Sequence, residues 1–118
     1  MRIQGGKTMV YKKVCLSETA KGIKGFWTQL KIGSVGNYDV KMAIYSGEYR
    51  RHMHKNHDEF IFVLKGNVRI DIDGEEIALN AGDGIFIEKG TAHKSICDGK
   101  AEVLLFEKDT IMEDYIDV

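Results

Sequence analysis

From about residue 38 onward the chain is a run of short apolar or alternating segments cut apart by glycine-containing turns, and this rhythm constrains the fold more than any other feature. Val68-Arg69-Ile70-Asp71-Ile72 alternates apolar and polar residues, and Glu76-Ile77-Ala78-Leu79 does so less strictly. Asp73-Gly74 between them is a two-residue hairpin signal. Asp98-Gly99 divides Thr91–Cys97 from Ala101–Glu107, and Gly66-Asn67 divides Glu59–Leu64 from Val68–Ile72, so each is also expected to reverse the chain into antiparallel pairing. With 13 glycines and no proline, the turns must be built from Gly, Asn and Asp. Strands at this spacing, with no helix-period segment of comparable strength among them, point to an all-β sandwich or barrel.

Phe60-Ile61-Phe62-Val63-Leu64 is apolar on both faces, which a strand tolerates when it lies between the core and another layer or subunit. Upstream, Phe26–Ile32 alternates weakly like an edge strand, and Leu16–Lys21 after Ser17 suits one helical turn. In the tail, Ile111, Met112, Tyr115 and Ile116 share one apolar helical stripe, or the tail is an arm docked on a neighbour. A length of 118 residues, 43% of them hydrophobic, leaves room for one core and excludes a two-domain enzyme, so residues 1–118 are expected to be a single domain. Lys and Arg number 17 against 18 Asp and Glu, so no global field draws the chain to nucleic acid or an anionic membrane. No apolar run approaches the roughly 20 residues of a bilayer span, and the N-terminus lacks the apolar core of a secretory signal. Cys15 and Cys97 form no disulfide-framework or CxxC spacing and are expected to be free thiols in a cytoplasmic protein.

The chain holds four histidines, and His52, His54 and His57 are followed directly by Asp58-Glu59. His52 and His54 are two apart, so on a strand both imidazoles project from one face and can share an ion. Glu59 leads a wholly hydrophobic run, where a carboxylate is costly to bury without a cation or a hydrogen-bond partner. His93 begins a strand whose alternate positions are Ser95 and Cys97; if that strand faces inward, His93 joins the same cavity. Three imidazoles and one carboxylate suit a divalent transition metal such as Zn, Mn, Fe, Ni, Co or Cu and argue against Ca or Mg. His57, in the turn-like Lys55-Asn56-His57-Asp58, is read as a solvated loop residue. Arg50, Arg51 and Lys55 are read as a solvated strand edge, although beside the ligands they could attract a carboxylate or phosphate. Tyr45, Tyr49, Phe86 and Phe106 are read as core or interface packing. Gly22-Ile23-Lys24-Gly25 lacks the helical context of an RNA-clamping loop, and Gly5-Gly6-Lys7-Thr8 lacks the strand and upstream glycine of a phosphate loop.

Gly47-Glu48-Tyr49-Arg50-Arg51-His52-Met53-His54-Lys55-Asn56-His57-Asp58-Glu59, closed by Gly66, resembles the first motif of the cupin superfamily, and Gly82, Gly90 and His93 match the second. The resemblance covers roughly residues 38 to 108. Asp58-Glu59-Phe60 and Val103-Leu104-Leu105-Phe106-Glu107 are similar to small single-domain cupins labelled mannose-6-phosphate isomerase-like, a label of kinship rather than of shared reaction. The resemblance implies an all-β jelly roll of two antiparallel sheets with minor helical or arm-like termini, holding a divalent metal on His52, His54, Glu59 and His93. Three positions depart from the family pattern: one residue fewer separates Gly47 from His52, Glu88 stands for the usual proline, and Cys97 stands for a frequent asparagine. Cys97, on the strand face of His93, is a candidate pocket-lining thiol.

Two functional classes follow. One is a metal-dependent enzyme, isomerase- or oxygenase-like, in which the ion polarises a carbonyl, activates water or binds dioxygen; no residue is singled out as catalytic. The other is a sensor or binding module that holds a sugar or metabolite without turnover. A metal-free structural barrel is a third. The partner in the first two is a small molecule, and the doubly apolar strand at Phe60–Leu64 leads to the expectation of a homodimer.

Overall fold

Period-two alternation carries over into a connected set of antiparallel strands. The computed structural model describes residues 10–118; Gly5-Gly6-Lys7-Thr8 lies outside the described residues. A short helix, α1 (Leu16–Lys21), precedes β1 (Leu30–Val35), β2 (Tyr38–Glu48), β3 (His52–His54), β4 (Glu59–Lys65), β5 (Asn67–Ile72), β6 (Glu75–Asn80), β7 (Gly84–Ile87) and β8 (Lys94–Lys108). A 3₁₀ turn at Ile111–Asp114 leads into β9 (Tyr115–Asp117). One sheet of seven strands runs β1-β2-β8-β4-β7, with β5 beside β8 and β6 beside β5, while β3 and β9 form a separate two-stranded sheet. The all-β jelly roll expected from the sequence is the observed architecture, and among the described residues no helix is long and apolar enough to cross a membrane.

Strand phase decides what the interior contains. Ile61 and Val63 of β4 and Ala101, Val103 and Leu105 of β8 are all buried, and continuing the same alternation by one step brings Glu59 and Glu107 onto that inward face. The two carboxylates are directly opposed in the β4–β8 register. On the outer face, Phe60 lies 4.5 Å from Phe86 and 6.0 Å from Phe106, centroid to centroid. Phe86 is 80% exposed and Phe106 39%. Of the two, neither enters the core; the second apolar face of β4 looks outward, with Phe60, Phe62 and Leu64 half-buried.

The three glycine-containing turns have different fates. At Asp73-Gly74 both residues have positive φ, 54° and 83°, as a tight hairpin turn requires, and Ile72 pairs with Glu75 across it. Asp98-Gly99 does not reverse the chain: neither residue has positive φ, and β8 runs straight through them. Tyr45 pairs with Ala101 and Gly47 with Cys97, so residues 98–100 of β8 face the single residue Ser46 as a bulge that bends the strand. Arg69 bonds to Asp98 at 2.7 Å on this bend. Gly66-Asn67 is not a hairpin either. β4 and β5 both pair with β8, at Glu102–Glu107 and Lys94–Ile96, so the chain turns a corner at Gly66 and continues along the same partner. Gly66 has φ +89°, and a Cβ there would collide with the Lys100 carbonyl and Ala101, so the corner needs a glycine.

The termini also differ from expectation in detail. The helical turn at Leu16–Lys21 forms, but the first edge strand begins only at Leu30. The tail is not an amphipathic helix: a 3₁₀ turn anchored by the fully buried Ile111 delivers Tyr115–Asp117 onto the open edge of β3 in its own chain. Three residues of β3 leave unpaired backbone groups that a short aromatic and β-branched segment satisfies better than a free helix would.

Candidate metal centre

The mouth of the barrel is assembled from three parts of the backbone. His52 and His54 lie on β3, and the His52 main chain makes reciprocal hydrogen bonds with His93 at 3.0 and 2.9 Å, which brings the second motif against the first. Glu59 enters from β4. Ligand atoms of His52, Glu59 and His93 lie within 4.8 Å of one another, and so do those of His54, Glu59 and Glu107. All five residues are buried. The four expected ligands all line one pocket, but their ligand atoms fall into two groups joined at Glu59: no group within that distance holds all four, and His54 pairs instead with Glu107, which was not singled out from the sequence.

Hydrogen bonding sets the tautomers. Nδ1 of His52 donates to the Arg50 carbonyl at 3.1 Å, Nδ1 of His54 to the Ile111 carbonyl at 3.2 Å, and Nδ1 of His93 to the Thr91 carbonyl at 3.0 Å. A carbonyl only accepts, so in each neutral imidazole the proton is on Nδ1 and the lone pair is on Nε2. Nε2 of His93 then faces Glu59 Oε1 at 2.9 Å, and that oxygen, buried, has no hydrogen-bond donor. Two lone pairs opposed at that distance require a positive centre, either a proton or a metal ion. The donor set fits a divalent transition metal: three Nε2 lone pairs held in place by backbone carbonyls beside a carboxylate with an unsatisfied buried oxygen.

Electrostatics in the metal-free site follow the same pairing. Burial pushes the Glu59 carboxyl up, but the His93 imidazole against it outweighs burial and holds it below its ordinary value. Burial lowers His93 and the Glu59 carboxylate more than reverses this, whereas His52, with weaker compensation, stays below the usual imidazole value because it is buried. Glu107 is pushed up to about 8 by burial and by the neighbouring Glu59 charge, with Lys41 3.4 Å away pulling the other way.

Several residues take roles that differ from expectation. His57 is not a solvated loop residue: its Nδ1 donates to Asp114 at 2.6 Å, and Thr110 Oγ1 lies 3.0 Å from Nε2. Asp114 also accepts from the Asn56 N–H and lies 3.4 Å from His54 Nδ1, so the 3₁₀ turn backs the His54 ring with both a carbonyl and a carboxylate. Cys97 belongs to the apolar core and bonds to the Asn67 carbonyl at 3.4 Å, so it does not line the cavity. Both cysteines are free thiols. Arg50 is held by Asp117 at 3.4 Å and Arg51 by Asp71 at 3.3 Å, which leaves the basic patch engaged at the rim.

A cavity of about 260 Å³ opens over the cluster. Tyr45 and Tyr49, expected to be packing residues, line it together with Trp27, Met112 and Tyr115. Trp27 is a non-glycine residue with φ 66°, held there by hydrogen bonds from its main-chain N–H to the Ile44 carbonyl and from its indole to the Ser46 carbonyl, both 2.8 Å. No sequence pattern marks it, because its place depends on a left-handed backbone. Glu107 did carry a signal: it ends an apolar alternating strand just as Glu59 begins one.

Comparison with known proteins agrees with this geometry. The Cupin_2 model, described as a cupin domain, matches residues 40–107. The chain is 36% identical over 77 residues to the uncharacterised protein YdbB of Bacillus subtilis, covering 64% of this chain and 68% of that one. Its fold resembles a cupin-2 domain protein of Shewanella frigidimarina (TM-score 0.79, 24% identity, 80% of this chain and 93% of the other). It also resembles hydroquinone 1,2-dioxygenase of Sphingomonas sp. TTNP3 (TM-score 0.71, 15% identity, 91% and 83%). With its family model spanning more than half of the sequence, the chain belongs to the cupin superfamily.

Proposed function

We propose that the barrel mouth holds one divalent transition metal ion on His52, His54, Glu59 and His93 and presents it to a small molecule in the cavity above. The observation that carries this reading is the common orientation of the three imidazoles, each with Nδ1 tied to a backbone carbonyl and Nε2 left as the free nitrogen, that of His93 2.9 Å from the unsatisfied buried oxygen of Glu59. Bound there, the ion supplies Lewis acidity or, if redox-active, a site for oxygen chemistry. The chain's own contribution is to orient the ligands from their second nitrogens and to wall the cavity beside them with Met112 and Tyr115. A fold shared with a dioxygenase supports an oxidative use of the ion.

Within the superfamily we place the chain beside the mannose-6-phosphate isomerase-like cupins, as a cytoplasmic single-domain protein. We read it as a homodimer, because the exposed Phe86 and Phe106 flank the half-buried Phe60 in an outward aromatic face. Titration of chelator-treated, tag-free protein with Zn(II), Co(II), Mn(II) and Fe(II), monitored by calorimetry, tests the site. Saturation at one ion per chain, lost in a His52→Ala, His93→Ala double variant, is the expected result; uptake unchanged in that variant removes these residues from the site.

A further inference from the structure

The charge and shape of the cavity wall select among ligands. Away from the histidines the wall is aromatic. Trp27 lies 4.2 Å from Tyr45 and 5.3 Å from Tyr49, Tyr49 lies 5.5 Å from His52, and His52 stacks on Tyr115 at 4.8 Å with 18° between the ring planes. This chain of rings is kept in place by features that packing alone does not demand. Trp27 is in a left-handed conformation, and Tyr115 arrives on a tail outside the region matched to the family.

Cations are missing from the same wall. Among the described residues, no lysine or arginine lines the cavity. Lys41, nearby inside the barrel, points at Glu107 from 3.4 Å, and Arg50 outside is bound to Asp117 and to the Tyr115 hydroxyl. The Arg50 guanidinium stands at the rim, 5.3 Å over the Tyr49 ring and 5.8 Å over the Tyr115 ring, but is engaged by Asp117 and both tyrosine hydroxyls. A phosphate or carboxylate on the end of a ligand remote from the imidazoles would therefore meet ring faces, which carry negative charge, and no uncommitted cation among the lining residues. A volume of about 260 Å³ is at the low end for ligand pockets and suits a single ring.

We infer that the site takes a small planar ring compound that is uncharged on its remote end and carries hydroxyl or carbonyl oxygens toward the histidine cluster: a phenol or ring diol, not a sugar phosphate. The inference rests on the metal reading only for the oxygen-bearing end; the aromatic wall exists without an ion. Trp27, Tyr49 and Tyr115 supply the ring faces of the cavity wall.

Calorimetric titration of Zn(II)-loaded protein, freed of excess metal, with catechol, mannose and mannose 6-phosphate tests it. Emission from Trp27, the chain's only tryptophan, gives a second readout. Saturable catechol binding at one per chain is expected, at least tenfold tighter than either sugar. A Tyr115→Leu variant of unchanged Zn(II) stoichiometry is expected to bind catechol at least fivefold more weakly, with Tyr115→Phe within twofold of the parent. Should Tyr115→Leu fail to fold, the ranking of the three ligands on the parent protein decides. Mannose 6-phosphate binding as tightly as catechol, or catechol giving no saturable signal, overturns the inference while leaving the metal reading intact. If the protein takes up none of Zn(II), Co(II), Mn(II) and Fe(II), the metal reading fails, and the same ranking on metal-free protein decides the ligand class.

Discussion

The two ends of the barrel interior are built by the same strands and obey opposite rules. At the closed end, Val63, Val68, Ile70 and Val103 are at most 1% exposed and need nothing beyond their own contacts. A few residues along β4 and β8, the same inward rows reach Glu59 and Glu107, equally buried and facing each other across the sheet. Burying apolar groups stabilises the fold; burying two carboxylates and three imidazoles costs stability unless a cation joins them. The contrast teaches that the closed end maintains the fold and the open end is maintained by it for another purpose.

Substitutions test that division, and the largest effect is expected at the closed end. Ile70→Ala should cost about 2–5 kcal/mol, by cavity formation, in equilibrium unfolding with or without metal. A loss that depends on metal would break the comparison. At the open end, His93→Ala should weaken metal binding about a hundredfold, roughly 2.8 kcal/mol, in a competition titration against a chelator.

Glu107→Gln should have the opposite sign. Because the folded protein raises this carboxyl to about 8, the native state keeps a proton that the unfolded chain releases. The contribution of Glu107 to the stability of metal-free protein is therefore fully present below the ordinary carboxylate range and is lost as pH rises through that value. Glutamine carries no such proton, so the variant should be more stable by about 1–3 kcal/mol at pH 7 and show a flatter stability profile between pH 5 and 8, read by denaturant unfolding in chelator. The smallest effect is expected one contact further out. Asp114→Ala removes the carboxylate behind His54 and the partner of His57 and of the Asn56 N–H, and should lower metal affinity about tenfold and cost about 1 kcal/mol in the unfolding of metal-free protein.

The comparison also explains what could be read from sequence. The ligand set was legible because HxH on a strand, a carboxylate opening an apolar run and a distant histidine are local patterns that the first and second motifs keep in order. Glu107 carried the same local signal as Glu59 but lay outside those motifs, and only the β4–β8 register shows that the two face each other. Asp73-Gly74 and Asp98-Gly99 are the same dipeptide, yet one turns the chain and the other lies in a bulge. The first joins two strands that pair with each other, whereas the second interrupts β8, whose residues on both sides of it are tied to the single strand β2, so the chain bulges there and does not reverse. His57 and Tyr115 could not be placed from sequence, since both depend on the tail folding back onto β3, a contact between positions more than fifty residues apart.

Nitrogen-15 spectra of the four histidine rings, recorded before and after one equivalent of Zn(II), address the convergence of three imidazoles most directly. We predict that Nε2 of His52, His54 and His93 shifts together at that single equivalent while the ring of His57 is unchanged. Fewer than three responding rings, or a response led by His57, would contradict the account.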